Sequence, residues 1–328
     1  MMSWRGTVRA YQSAVRQAER SARKKQRELE LQQKQYNKMQ ELERAKYEVL
    51  LYENKIELIQ SLHKDCGPTW DWVSINNSIP PNEPVRSNEN ELKAKSAAKN
   101  YKPGAMDKLL NKAQSKIEQL KKTIHDAIKV DENNYKKALK EYDLELEEWK
   151  RLQNLSSRIL NKESKYYIEA IKIIDPFSEI QDLGAKLNIN IVEDLLEITF
   201  CPNDEKVIPS ETKSLLASGK LSMKATPKIK LNLLYQDYLC SAVLRIVREI
   251  FAILPIDMVR ITAEKKLLNT QTGYMEEKPV LAVAISKDTL DLLNLDLIDP
   301  SHCMINFVHN MKFNKANGFS EVERIQLK

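Results

Sequence analysis

SLHKDCGPTWDW, residues 61–72, contains Gly67 and Pro68, which follow a long stretch, residues 7–66, without proline or glycine. Gly67 and Pro68 predict that a long helix stops near Lys64, with Gly67 as its C-cap and Pro68 preventing continuation. His63 and Cys66 have the spacing of two zinc ligands. The sequence offers no second pair of ligands at a suitable spacing, so we expect neither a metal site nor another cofactor.

The two tryptophans of this stretch, Trp70 and Trp72, bracket Asp71. In an extended segment, alternate side chains point to opposite faces, so the two rings should face away from each other. Either both pack as loop anchors, or one of them contacts a partner. We therefore take Trp70 and Trp72 as candidate partner-binding residues.

Upstream of this stretch, apolar residues recur at intervals of three and four, which predicts one amphipathic helix over residues 1–66. At 1.5 Å per residue, its helical part would be roughly 90 Å long. The apolar positions that define the pattern are Trp4, Val8, Tyr11, Val15, Ala18, Ala22, Leu42, Val49, Ile56, Ile59 and Leu62.

Downstream, residues 67–104 lose this periodicity and include the proline-rich run IPPNEPVRSNE at 79–89, which indicates a linker or tip loop. A second amphipathic pattern covers residues 105–175, which predicts an antiparallel coiled-coil hairpin of two long helices. The alternative is a break at the polar run 131–134, which would give a three-helix bundle. The second pattern comprises Met106, Leu110, Ala113, Ile117, Leu120, Ile124, Ala127, Tyr135, Ala138, Tyr142, Trp149, Leu152 and Ile159.

Residues 176–328 change in character and predict a small mixed α+β domain, which places the whole chain in the α+β class. NINIV and LLEITF are typical of short strands. Residues 231–254 predict an amphipathic helix ended by Pro255, with Arg245 and Glu249 spaced for an ion pair. Residues 257–285 predict strand, turn and strand, followed by two short helices and a polar tail.

Composition excludes several kinds of site. No two of the seven glycines lie within 34 residues of each other, so a P-loop, a G-x-G-x-x-G dinucleotide turn and a G-x-S-x-G nucleophile elbow are absent. The four cysteines are widely spaced, which suits reduced thiols in the cytoplasm. No apolar run reaches the length of a transmembrane segment, and the N-terminus lacks the apolar core of a signal peptide.

The basic N-terminal segment, residues 3–27, has the most one-sided charge in a chain whose net charge is +6. It contains one acid, Glu19, and an apolar stripe that begins at Trp4. Such a segment could contact the phosphates of DNA or RNA, an anionic membrane or an acidic protein, or be a solvated coiled-coil flank. We predict nucleic-acid contact through Arg5, Arg9, Arg16, Arg20, Arg23, Lys24, Lys25 and Arg27.

An alternative function rests on three residues of the C-terminal region. Asp257, followed by Glu276 and Lys278, matches the text pattern of a metal-dependent nuclease of the restriction-endonuclease type. If residues 257–285 form a hairpin, however, the two carboxylates lie at opposite ends, roughly 30 Å apart, and cannot share a metal.

We therefore expect a non-enzymatic coiled-coil adaptor or scaffold subunit of a cytoplasmic complex. Its expected partners are proteins, a catalytic subunit among them, together with DNA or RNA. The coiled coil could also join copies of the chain into a homo-oligomer.

Overall fold

The computed structural model describes residues 41–103, 113–177, 185–192, 195–202 and 207–326. Within these ranges the chain forms seven α-helices, α1 to α7, in the order Glu41–Ser61, Trp72–Asn76, Glu89–Asn100, Ala113–Leu160, Tyr167–Ile174, Lys228–Ile253 and Lys287–Asp291. Short 3₁₀ turns cover Leu62–Lys64, Ser164–Tyr166 and His302–Asn306. No helix of the described ranges combines the length and the apolar composition that a membrane span requires.

Eight strands, β1 to β8, occupy Lys186–Val192, Leu195–Cys201, Glu211–Leu215, Leu221–Ala225, Met258–Leu268, Met275–Ser286, Val308–Asn314 and Gly318–Ser320. Six of them form one mixed sheet in the order β1-β2-β5-β6-β7-β8, and β3 and β4 form a separate hairpin. The predicted α+β class is therefore confirmed.

The described residues divide into two compact units. The first comprises residues 73–103 and 113–156, and the second comprises all the other described residues. Helix α4 is one continuous helix of 48 residues through the polar run 131–134, where the sequence had left a break open. It ends at Leu160, earlier than predicted, because Lys162 adopts a positive φ of 57°. A lysine in this conformation gives no glycine signal in the sequence.

In the first unit, Asp131 of α4 caps the N-terminus of α3. Its two carboxylate oxygens accept hydrogen bonds from the side chain of Asn90, at 2.6 Å, and from the backbone N–H of Glu91, at 2.9 Å. These bonds, the one from Glu91 above all, hold the pKa of Asp131 below its usual value. Helix α3 lies inside the segment predicted as a linker, 67–104, so that part of the prediction is wrong. The capping residue is distant in sequence, and local composition could not reveal it.

At the other end of the first unit, α4 packs against residues 75–78. The indole N–H of Trp149 donates to Ser78 Oγ at 3.0 Å, and Gln153 Nε2 donates to the carbonyl of Ile75 at 2.8 Å. Leu152 and Leu155 are buried beside these polar contacts. The turn after α2 is therefore fixed to α4 by apolar contact and by specific hydrogen bonds.

In the second unit, α6 contacts the six-stranded sheet through β5 and β8, and it contacts α1 and the 3₁₀ turn that follows α1. The β3–β4 hairpin packs against α1, where Lys213 forms an ion pair with Glu48. Because α6 has neighbours on several sides, most of its residues after Leu233 are buried. The helix and the strand–turn–strand predicted here from sequence are confirmed.

The sheet contains elements that the sequence analysis missed. Residues 308–320, predicted as a polar tail, form β7 and β8, and β7 pairs antiparallel with β6. Along β7, exposed and half-exposed residues alternate, so the strand has too little apolar character to be recognised alone. Strand β2 pairs parallel with β5, whereas every other neighbouring pair in the described sheet is antiparallel.

Candidate functional site: the segment that joins helix α1 to helix α6

Residues 62–72 lie along α6 and form hydrogen bonds with it at several positions. The α-helix ends at Ser61, and a 3₁₀ turn carries the chain to Lys64. His63 is only 1% exposed. Its backbone N–H donates to Ser241 Oγ at 3.0 Å, and its ring atom Nδ1 lies 2.8 Å from the same oxygen. Ser241 is fully buried, so this histidine–serine pair is a structural contact and does not present a nucleophile to solvent.

Gly67 has a different role from the C-cap that its position predicted. Its backbone N–H donates to both carboxylate oxygens of Glu249, at 3.0 and 3.1 Å. A Cβ at residue 67 would lie 2.8 Å from Glu249 Oε2, so any larger residue here would displace this carboxylate. Glu249 is 3% exposed and accepts from Arg245 Nε at 2.7 Å, which confirms the ion pair predicted from spacing.

Trp70 and Trp72 cover the C-terminus of α6. The last carbonyls of any helix have no partner within the helix. The carbonyl of Ala252 accepts from the backbone N–H of Trp70 at 2.8 Å, and that of Ile253 accepts from the indole of Trp72. The two rings stack with centroids 5.1 Å apart. The prediction that the two rings face opposite sides is therefore wrong. Trp72 begins helix α2, so the alternation of side chains that holds in an extended segment does not apply.

Two concave surfaces flank this segment within the second unit. An acidic cleft of about 680 Å³ is lined by α1, α6 and residues 298–300. A groove of about 480 Å³ lies beside the tryptophans, and its lining includes Phe251, Leu290, Leu293 and Leu295 as well as the bases Arg248 and Lys287. Burial raises the pKa of Asp237, which lines the cleft and accepts a hydrogen bond from Gln60 at 2.8 Å.

Burial, followed by the charge of Lys64, lowers the pKa of His63 below 6.5, while Arg248 lowers it further and Asp299 opposes them. The unfolded chain therefore binds more protons than the folded chain at pH values between the folded pKa and 6.5. We expect the free energy of unfolding to decrease as the pH falls below 6.5, and this loss to level off below the folded pKa. Urea denaturation across this range measures the effect.

The matched variant for this prediction is His63→Asn, whose side chain retains an acceptor or donor near Nδ1 but does not titrate. The difference in unfolding free energy between the wild-type protein and this variant should change with pH only below 6.5. Parallel pH profiles for the two proteins would show that His63 makes no such contribution.

The three residues of the nuclease alternative do not come together. Asp257 directly precedes β5, and Met258 pairs with Ser286, whereas Glu276 pairs with Leu267 near the turn. Asp257 and Leu267, the partner of Glu276, lie at opposite ends of β5, which separates the two carboxylates by roughly 30 Å. Lys278 instead lies 3.2 Å from Glu276 and 3.4 Å from Glu321.

One group of potential metal ligands is present among the described residues. Ligand atoms of Cys201, Glu264 and Glu277 lie within 4.8 Å of one another. Glu264 also accepts from Arg324 at 2.5 Å, so an arginine already compensates its charge. We assign no metal to this group.

The eight candidate nucleic-acid-binding residues, Arg5, Arg9, Arg16, Arg20, Arg23, Lys24, Lys25 and Arg27, lie outside the described residues. Sequence reasoning also missed Ser241, Glu249 and Asp237 as contacts of the segment 60–72. Only Glu249 carried a sequence signal, its spacing from Arg245. Comparisons with protein-family models, curated proteins and solved structures found no match to this chain.

Proposed function

We propose that this protein is a non-enzymatic adaptor or scaffold subunit of a cytoplasmic complex. The observation that carries the proposal is the way residues 62–72 fix α1 to α6. Buried polar contacts connect His63 to Ser241, Gly67 to Glu249, and Trp70 and Trp72 to the end of α6. Several independent contacts of this kind fix the direction of α1 relative to α6. A fixed helix suits a protein that positions its partners.

Helix α4 supports the coiled-coil part of the proposal. Its predicted seam is half-buried at positions separated by three, four, seven or eight residues, while the intervening positions are mostly exposed. Such a one-sided stripe on a long, charged helix is typical of a helix that packs against a partner helix. The half-buried seam residues are Leu120, Ile124, Ala127, Tyr135, Ala138, Tyr142 and Trp149. An antiparallel hairpin with residues 1–66, or pairing with another copy of the chain, remains a proposal.

The nucleic-acid part of the proposal rests on the charge of residues 3–27. The experiment is fluorescence anisotropy of labelled duplex DNA and single-stranded RNA with the full chain, over a salt series and with magnesium present. Replacing Arg16, Arg20, Arg23 and Lys24 by Gln should weaken duplex binding about tenfold or more. It should also make the slope of log affinity against log salt shallower by about 0.9 for each lost phosphate contact.

The matched control replaces four exposed lysines of α4, namely Lys136, Lys137, Lys140 and Lys150, by Gln. This variant has the same change in net charge, so equal weakening in both variants would show that the basic segment has no special role. Absence of binding by the wild-type protein would refute the nucleic-acid contact. Magnesium-dependent cleavage of the probe would refute the non-enzymatic assignment.

A further inference from the structure

The connection between β6 and β7 exposes large apolar side chains. It comprises residues 287–307, and its leucine-rich part is KDTLDLLNLDLIDP at 287–300. Leu292, Leu297 and Ile305 are 86%, 83% and 81% exposed, whereas Leu290 in the same connection is buried. A partner that covers such apolar side chains removes them from water, which favours association.

Ordered turns hold these residues in place. The backbone N–H of Leu293 donates to the carbonyl of Leu290, and that of Leu297 donates to the carbonyl of Asn294, both at 3.1 Å. Asp299 then caps the 3₁₀ turn at Ser301 and His302, accepting from both backbone N–H groups at 2.9 Å. The leucines therefore point outward from a backbone that is already ordered. Binding a partner would cost this connection little conformational entropy.

The same connection is acidic, although the whole chain carries a net charge of +6. Residues 287–300 contain four aspartates and one lysine, a net charge of −3. Lys287 lies 3.1 Å from Asp291, and the other aspartates are exposed: Asp288, Asp296 and Asp299. We define the leucine–aspartate surface as Leu292, Leu297 and Ile305 together with Asp288, Asp291 and Asp296.

Two concave surfaces adjoin this connection. Leu290, Leu293 and Leu295 line the groove beside the tryptophans, together with Arg248 and Lys287. Ile298, Asp299 and Pro300 line the acidic cleft, whose other charged side chains are Glu53, Glu57, Asp65, Asp237, Lys64 and Lys230. Leu297 thus lies, along the chain, between residues of the groove and residues of the acidic cleft.

We propose that the leucine–aspartate surface binds a basic amphipathic helix of a protein partner. The apolar face of that helix would cover Leu292, Leu297 and Ile305, and its lysines or arginines would face the aspartates and the acidic cleft. The negative charge disfavours nucleic acid and anionic membranes, both of which carry phosphates. The inference rests on the proposed adaptor function, for which it supplies a partner site.

The test uses a synthetic amphipathic helix of leucine and lysine, about five turns long, and a matching peptide of leucine and glutamate. Fluorescence anisotropy with the full chain should show the lysine peptide binding about tenfold or more tightly than the glutamate peptide. Leu292→Asp together with Leu297→Asp should weaken binding about 100-fold, because two apolar contacts of about 1.4 kcal/mol each are lost. Asp288→Asn with Asp296→Asn should weaken binding and reduce its salt dependence.

The matched control is Leu216→Asp, at an exposed leucine of the β3–β4 hairpin, which should leave binding unchanged. Equal binding of the two peptides, or equal loss in the control variant, would overturn the proposal. Binding to phosphatidylcholine vesicles in place of the peptide would also overturn it. Sedimentation that shows a dimer lost in the Leu292→Asp, Leu297→Asp variant would assign the surface to self-association instead.

This test is separable from the nucleic-acid test, because the two use different residues and different probes. If peptide binding fails while the salt-dependent DNA binding persists, the partner surface is wrong and the adaptor function survives. If DNA binding fails while the peptide still discriminates between wild type and variants, the partner surface stands without the nucleic-acid contact.

Discussion

Replacing Glu249 by Gln should lower the free energy of unfolding by about 3 kcal/mol, since it removes one member of a buried ion pair. The carboxylate accepts a hydrogen bond from Arg245 Nε at 2.7 Å, and both of its oxygens accept from the backbone N–H of Gly67. The amide of the Glu249→Gln variant would have only one acceptor oxygen. Its NH₂ group would face either Arg245 or the Gly67 N–H, both of which are donors. Arg245 also lies 3.8 Å from Asp65, but that aspartate is exposed and compensates little.

Urea denaturation followed by far-UV circular dichroism measures the Glu249→Gln effect. The matched control is Glu53→Gln, at an exposed glutamate of α1, which should change the stability by less than about 0.5 kcal/mol. The double variant Arg245→Met, Glu249→Met should lose less than Glu249→Gln alone, because no unpaired charge remains. A loss below about 1 kcal/mol in Glu249→Gln would show that the buried carboxylate is not required.

Gly67→Ala tests the same contact from the other side. The new methyl group would overlap Glu249 Oε2, so the carboxylate must move away from the Gly67 N–H. We expect a loss of about 1–3 kcal/mol. In the background of Arg245→Met, Glu249→Met, the same substitution should cost less, because methionine is flexible and can adapt to the added methyl group.

Trp72→Ala should destabilise the second unit by about 3–5 kcal/mol, the range for removing a buried tryptophan. Trp72 is 4% exposed, stacks on Trp70 and donates its indole N–H to the carbonyl of Ile253. The substitution leaves a cavity and also deprives the end of α6 of a hydrogen-bond donor. Hydrogen–deuterium exchange of the α6 amides, read by mass spectrometry, should show faster exchange in the last two turns of the helix.

Trp72→Phe separates the two contributions, because it keeps an aromatic ring and removes the N–H. Its expected loss is smaller, with about 1–3 kcal/mol arising from the unsatisfied carbonyl. Trp70→Ala should also cost less than Trp72→Ala, since Trp70 is only half-buried and its backbone N–H still donates to Ala252. Equal exchange in wild type and Trp72→Ala would contradict the role of Trp72 at the end of α6.

Local sequence patterns predicted the elements that depend on local chemistry. Helix Lys228–Ile253 was expected from its apolar spacing and from Pro255, and the β5–β6 hairpin was expected from two strand-like runs around Gly273. Gly273 has a positive φ of 75° in that turn, as a glycine in a tight turn often does. Patterns failed where a distant residue supplies the stabilising contact, as for α3, whose cap is Asp131, and for β7, whose partner is β6.

The candidate site shows the same division. The sequence analysis singled out four residues of the site: His63, Gly67, Trp70 and Trp72. It predicted the role of each from residues close to it in sequence. The structure gives each of them a partner about 180 residues away, on α6. The leucines of residues 287–300 gave no distinguishing signal, because an apolar run in a sequence does not reveal which of its side chains remain exposed.

The sequence by itself determined the α+β class, the positions of α6 and of the central strands, and the absence of glycine-dependent nucleotide sites. These features depend on the 3.6- and 2-residue periods of the backbone and on the local effects of proline and glycine. The tertiary structure alone decided which residues of the segment 62–72 contact α6, why a side chain at residue 67 would displace Glu249, and which leucines remain uncovered. Those outcomes depend on contacts between residues far apart in the chain, and the free energy of such contacts exists only once the chain has brought the residues together.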